Sequence, residues 1–167
     1  MLNKLKGTGT APARPSWIQI MNGLIGGTLG IGVVAYMADA ADLPLLMAPF
    51  GATCVLLFAA PQAPLAQPRS VIAGHVIAAA VGLVIMHLFG PGLMQMAVGV
   101  GVAIAAMQAC HAVHAPAGAN PLVILMGGVT DWSFLITPVL LGAVTLVLIA
   151  LVVNNVGRGR AWPVYWY

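Results

Sequence analysis

Charge is what this sequence has least of. Only 5% of its 167 residues are charged, against roughly a quarter in a typical soluble domain. Hydrophobic residues make up 61%, and mean hydropathy is +1.02. A soluble fold of this length could not cover its surface with so few polar groups, so that surface must face lipid. Asp39, Asp42 and Asp131 are the only acids, and between Pro15 and Gly157 the only strong base is Arg69. Lys4, Lys6 and Arg14 precede the first apolar run, and Arg158 and Arg160 follow the last. Bases so placed are anchors for lipid head groups, not a nucleic-acid surface, and no basic-aromatic cluster invites base stacking. Cys54 and Cys110 lie inside apolar runs and read as packed thiols. They make no zinc-type spacing with histidine, and no metal or cofactor is expected.

What is present is apolar sequence in long runs. A spanning helix needs about 20 mostly apolar residues. Four segments meet that standard: Trp17 to Ala38, Val71 to Phe89, Leu93 to Val113 and Phe134 to Val153. The turn Gly90-Pro91-Gly92 separates the second from the third as a tight hairpin. Two further segments, Leu43 to Ala60 and Ala115 to Val129, carry Pro and Gly near their starts. Proline bars a continuous helix there, so each reads as an unwound stretch leading into a half-helix. The expected fold is an all-α polytopic membrane protein, with four long helices and two broken segments. Residues 1–16 form a cytoplasmic tail without a cleavable signal, 17–156 one transmembrane domain, and 157–167 a basic-aromatic tail.

The broken segments resemble each other. Pro49-x-Gly51-Ala52-Thr53 aligns with Pro116-x-Gly118-Ala119-Asn120, and Gly30-Ile31-Gly32-Val33 with Gly99-Val100-Gly101-Val102. The chain therefore reads as two repeats of helix, broken segment, helix, at about 17–89 and 93–153. Basic residues mark the cytoplasmic side, so both termini are placed there, in a bacterial inner membrane. If the broken segments dip in and return, four crossings result and Arg69 lies outside with the aspartates. If they cross, six result, Arg69 lies inside, and the repeats are inverted. Arg69 favours six.

Non-helical backbone at membrane depth must be buried in protein or line a cavity, and broken helices in matching repeats point to a transporter's substrate site. A half-helix start presents free N–H groups and the positive end of its dipole, which attracts an anion. The expected starts are Gly51-Ala52-Thr53 and Gly118-Ala119-Asn120. There Gly and Ala admit a ligand to the backbone, and Thr53 and Asn120 cap the helix or donate to the ligand. His114 and His111, expected on one face at a helix end, would donate to the anion or carry a proton with it. His75, near the start of a spanning helix, is an intramembrane ionisable candidate. Arg69 either guides the anion or anchors topology, whereas His87, near the Gly-Pro-Gly turn, reads as interfacial. The terminal aromatics Trp162 to Tyr167 read as an interfacial belt.

The stretch His114-Ala115-Pro116-Ala117-Gly118-Ala119-Asn120-Pro121 resembles the signature of the HPP family of integral membrane proteins, named for His-Pro-Pro. Ala48-Pro49-Phe50-Gly51-Ala52, Pro64-Leu65-Ala66-Gln67-Pro68-Arg69, Gly74-His75 and Phe89-Gly90-Pro91-Gly92 resemble family segments in the same order. Ala115 stands where the family has its first proline. The resemblance implies four spanning helices and, from chloroplast and cyanobacterial relatives, nitrite transport. The expected ligand is thus a small inorganic anion such as nitrite. Its proposed contacts are His114, Pro116, Gly118, Ala119, Asn120, Pro49, Gly51, Ala52, Thr53, His75 and Arg69. A homo-oligomer fits so small a chain. A structural subunit of a membrane complex, marked by copurifying partners, and a membrane enzyme, marked by a bound metal, are the competing readings. No Ser-His-Asp grouping or intramembrane carboxylate supports an enzyme.

Overall fold

The first helix begins where its sequence can cap it. Ser16 Oγ accepts the Gln19 amide at 3.3 Å, and Gln19 Oε1 accepts the Ser16 amide at 2.8 Å. This reciprocal pair satisfies two amides that helix geometry leaves open. Helix α1 then runs Trp17–Ala41 and closes on Asp42, which takes the left-handed conformation with φ 51°. The computed structural model describes residues 9–156 and 161–166. Lys4, Lys6, Arg158 and Arg160, read above as anchors, lie outside the described residues.

Helix α2 spans Ala48–Cys54 and continues as a π turn over Val55–Ala59. A 3-10 turn, Pro64–Ala66, leads to α3, Pro68–Phe89. Helix α4 spans Leu93–Ala109. A 3-10 turn over Ala115–Ala119 opens α5, Asn120–Gly127. A 3-10 turn, Trp132–Leu135, and a π turn, Ile136–Leu140, precede α6, Leu141–Asn155. Among the described residues there is helix and no strand.

Two of the expected long spans are shorter or less regular than their hydropathy suggests. Helix α4 stops at Ala109 rather than Val113, because His111 turns left-handed at φ 51°. The Cys110 carbonyl thereby freed accepts the Arg69 guanidinium at 2.9 Å. The last span is interrupted at Thr137, whose φ −128° and ψ 111° are extended. The following Pro138 forces this, since proline disfavours helical dihedrals in the residue before it. Among the described residues, three helical stretches are long and apolar enough to cross a membrane: Trp17–Ala41, Pro68–Phe89 and the composite Trp132–Asn155. Ala48–Ala59, Leu93–Ala109 and Ala115–Gly127 are apolar but shorter.

Small residues decide how closely these helices pack. On α1 the buried positions are Gly26, Gly30 and Val34, one stripe at helical spacing. Phe58 fills the space at Gly26, and Phe50 fills that at Gly142 on α6. The rest of α1 exposes Ile18, Leu24, Ile25 and Leu29, as a lipid-facing helix should. Of the long helical stretches α3 is the most enclosed, packing on α4, α5 and α6, while α1 packs on α6.

The contacts sort the loops into two ends. At one, residues Ser16 to Asn22 of α1 share a 660 Å³ cavity with Phe58 to Ala63. Arg69 reaches Cys110 there, and the Val164 amide donates to Gln67 Oε1 at 2.8 Å. Trp162 belongs to this end and is buried, its backbone paired with Asn155 at 2.6 and 2.9 Å. It is thus a packing residue, not part of an interfacial belt. At the other end His87 stacks on Trp132 with centroids 5.3 Å apart. Asp131 is its neighbour there, with Oδ1 accepting the Ser133 amide at 2.8 Å; that bond holds its carboxyl below the usual range. Arg69 and Asp131 therefore lie at opposite ends of α3, a rod of about 33 Å at 1.5 Å per residue, and do not pair.

Candidate functional site

Four polar side chains are 0% exposed and gather between the broken segments and α3: Thr53, His75, His114 and Asn120. Buried polar groups need partners, and these find most of theirs in one another. Thr53 Oγ1 is 2.9 Å from His75 Nε2, 2.9 Å from His114 Nε2 and 3.1 Å from the Pro49 carbonyl. His114 Nδ1 is 2.7 Å from the Leu65 carbonyl. Asn120 Nδ2 lies 2.9 Å from the His75 carbonyl and 3.1 Å from His75 Nδ1.

Donor and acceptor rules orient this chain. A carbonyl only accepts, so His114 Nδ1 carries a hydrogen, and in the neutral ring Nε2 accepts. Asn120 must turn its NH2 toward the His75 carbonyl. Its second hydrogen then meets His75 Nδ1, which leaves His75 Nε2 as a donor to Thr53. The Thr53 hydroxyl completes the path by donating to His114 Nε2. The order is Asn120 to His75 to Thr53 to His114 to Leu65. All the side-chain hydrogens are used. Within this chain of groups one atom has no partner among the described residues: Asn120 Oδ1, a buried acceptor, whose desolvation costs about 1–3 kcal/mol when unmet.

The fold sets these groups by local means. Gly74 lets the extended stretch before the second broken segment approach α3: a Cβ there would stand 2.7 Å from His114 Cβ and 2.9 Å from the Ala112 carbonyl. Phe50 meets the His75 ring edge-on, with centroids 5.2 Å apart at 74°. The two imidazoles are 5.0 Å apart.

Several expectations need correction. The first helix begins at Ala48 rather than near Gly51-Ala52-Thr53, whereas the second begins at Asn120, within the expected stretch, after a 3-10 turn over Ala115–Ala119. Thr53 is therefore in the second turn of α2, and neither Thr53 nor Asn120 caps its own helix. Both reach across to α3 or its partners instead. His111 and His114 do not share a helix face: His111 is exposed in a turn and His114 is buried beyond it. Arg69 is exposed and spends its guanidinium on Cys110. His87 is exposed and bonds the Leu83 carbonyl at 2.9 Å, as suits an interfacial residue.

Of the remaining expected residues, Pro49, Ala52, Pro116 and Ala119 line an open, apolar groove of about 450 Å³ between the starts of the broken segments, and Gly51 and Gly118 do not. Ala48, Pro49 and Ala52 form one wall; Ala115, Pro116 and Ala119 form the other. The groove runs beside the polar chain, since Ala52 precedes Thr53, Ala115 follows His114 and Ala119 precedes Asn120. Gly51 and Gly118 have open space where a side chain would go. The role of Gln67 was not foreseen. Fully buried, its Nε2 donates to the Pro61 and Ala63 carbonyls at 2.9 and 3.0 Å, shaping the loop that delivers Leu65 to His114.

Long apolar helices around interrupted segments and a buried polar chain define an integral α-helical membrane protein. The chain belongs to the HPP family: the model described as "HPP, transmembrane region" matches residues 12–163. It is similar to two proteins of Dictyostelium discoideum named only as transmembrane proteins. One is 37% identical over 84% of this chain and 52% of its own length. The other is 33% identical over 98% of this chain and 56% of its own length. The chain thus spans about half the length of the curated relatives it matches. No solved structure matches it.

Proposed function

We propose that the chain carries a small inorganic anion, nitrite or one of its size, across a membrane between its two broken segments. The observation that carries this reading is the approach of the start of α2, at Ala48-Pro49, to the 3-10 turn that leads into α5, at Ala115-Pro116, across one groove beside a buried His-Thr-His-Asn chain. Moving a carboxylate-sized ion from water into a medium of low dielectric costs on the order of 20 kcal/mol in the idealised limit. The open amides at the start of α2 and of the turn before α5 supply partial positive charge toward offsetting that. No acidic residue lies in either segment to oppose an anion. A buried ionisable pair in a membrane domain is a functional candidate by default, because neutral packing would be cheaper there.

In this reading Pro49, Gly51, Ala52, Pro116, Gly118 and Ala119 let the ion approach the backbone. Thr53, His75, His114 and Asn120 lie buried behind the groove as its polar backing, and Arg69 draws anions to one end. The protein is a transporter and is assigned no catalytic step. Nitrite itself rests on size and on the family resemblance alone.

The arrangement of ends supports six passes. Each broken segment starts at one end of the bundle and finishes at the other, and α3 packs on α4 as α6 packs on α1. Three passes per half make the halves inverted. Arg14 and Arg69 then share the cytoplasmic side with both termini, in a bacterial inner membrane, and Asp39, Asp42 and Asp131 face outward. An ion cannot ride in a groove open to lipid, so the groove needs a wall. Exposed Ala48, Ala52 and Ala115 would admit a second copy at short range, and a homo-oligomer is that wall.

The test is anion flux into liposomes carrying the purified protein. Uptake of nitrite, nitrate or formate above that of empty liposomes is expected, reduced at least tenfold in His114→Ala. Wild-type liposomes no leakier than empty ones would refute the reading.

A further inference from the structure

The neutral polar chain has no side-chain hydrogen left to give an anion. Asn120 uses both of its own on His75, His75 uses Nε2–H on Thr53, Thr53 uses its hydroxyl on His114, and His114 uses Nδ1–H on Leu65. The single unmet atom, Asn120 Oδ1, is an acceptor and calls for a donor. A bare anion and this ledger do not match.

One added proton gives the chain the positive charge that an anion needs, though still no free hydrogen. On His114 Nε2 it becomes a donor to Thr53 Oγ1 at 2.9 Å, and the Thr53 hydroxyl turns to the Pro49 carbonyl at 3.1 Å. Oγ1 then accepts from both imidazoles with its two lone pairs, and no heavy atom moves. His75 has no such second state. Its Nδ1 faces the Asn120 NH2, which the His75 carbonyl holds in place, so a proton there would set N–H against N–H.

We infer that His114 takes up one proton with each anion carried, and that the Thr53 hydroxyl is the two-position switch that accommodates it. This rests on the transport reading above. Imidazole gains a proton from water on the side of entry and returns it on the side of exit. The imidazolium balances the anion's charge in between, so a proton and a monovalent anion cross together and no net charge moves.

The other ionisable groups on the elements around His114 leave it the carrier. Helices α2 to α6 contain no carboxylate. Cys54 on α2 turns its Sγ to Gly30 of α1, Arg69 is bonded to Cys110, and Cys110 and His111 are exposed. His87 lies at the far end of α3 against Trp132.

The experiment uses the whole protein in liposomes enclosing a pH-sensitive dye, with an inward nitrite gradient and the membrane potential clamped. After subtraction of empty liposomes, one proton should enter per nitrite. The rate should rise by up to about tenfold per unit of external acidification, and a change of clamped potential should not alter it. Thr53→Val should lose at least tenfold in flux and Thr53→Ser recover most of it. Nitrogen NMR of His114 should show the Nδ1–H tautomer when neutral, converting to imidazolium on acidification in wild type and Thr53→Ser but not in Thr53→Val. Nitrite entering without protons, or driven by potential, would overturn the coupling and leave anion transport standing. No flux at all would end the transport reading, and with it the coupling. Should Thr53→Val not fold, the wild-type proton count and His114 titration still decide: a His114 fixed in the Nε2–H tautomer overturns the switch.

Discussion

Gly74 on α3 is the seat of His114. A Cβ at 74 would stand 2.7 Å from His114 Cβ, closer than such carbons approach in practice, and 2.9 Å from the Ala112 carbonyl. The buried imidazole chain exists because one residue of the central helix has no side chain.

Gly74→Ala should therefore push the His114 segment off α3. Overpacking of this kind costs about 1–3 kcal/mol, and nitrite flux should fall with it. Gly51→Ala, inside α2 where a Cβ meets nothing within 4 Å, should leave stability unchanged or raise it by up to about 1 kcal/mol. Thermal unfolding of the two variants in detergent compares them, and equal midpoints would contradict the packing described.

Asn120→Ala removes two hydrogen bonds and strands His75 Nδ1 in an apolar interior, while the His75 carbonyl keeps its place in α3. A loss of about 1–3 kcal/mol is expected, with lower anion flux, measured by thermal unfolding and liposome uptake. A variant as stable and active as wild type would remove Asn120 from the site.

Six passes make a labelling prediction. In a background with Cys54→Ala and Cys110→Ala, Asp42→Cys and Asp131→Cys should react with a membrane-impermeant thiol reagent from outside whole cells. Gln62→Cys should react only after the cells are opened. Labelling of all three from outside would restore the four-crossing arrangement.

If a second copy walls the groove, Ala52→Cys or Ala115→Cys in the same background should give cross-linked dimers in the membrane under mild oxidation. Leu93→Cys, on a large apolar side chain exposed at the start of α4, should not. Monomer throughout at Ala52 and Ala115 would leave the groove facing lipid and argue against an ion path there.

Much was legible because it is written in neighbouring residues. Lipid as the surrounding medium follows from missing charge, and the breaks at Pro49 and Pro116 follow from a ring that cannot join a helix interior. Two further signals of that kind were present and unread. Ser16-x-x-Gln19 is a capping box, and Pro138 announces the irregular Thr137 inside what hydropathy alone takes for a continuous span. The end of α4 was not legible, because the Cys110 carbonyl that holds Arg69 is a backbone atom every residue possesses.

The sequence by itself determined the membrane setting, the helical class and the two interruptions, since hydropathy and proline act over a few residues. Only the tertiary structure decided what the polar residues do. Thr53 meets His75 across 22 residues of chain and His114 across 61. Those meetings depend on how closely α2, α3 and the second broken segment pack, which small residues such as Gly74 permit but do not announce.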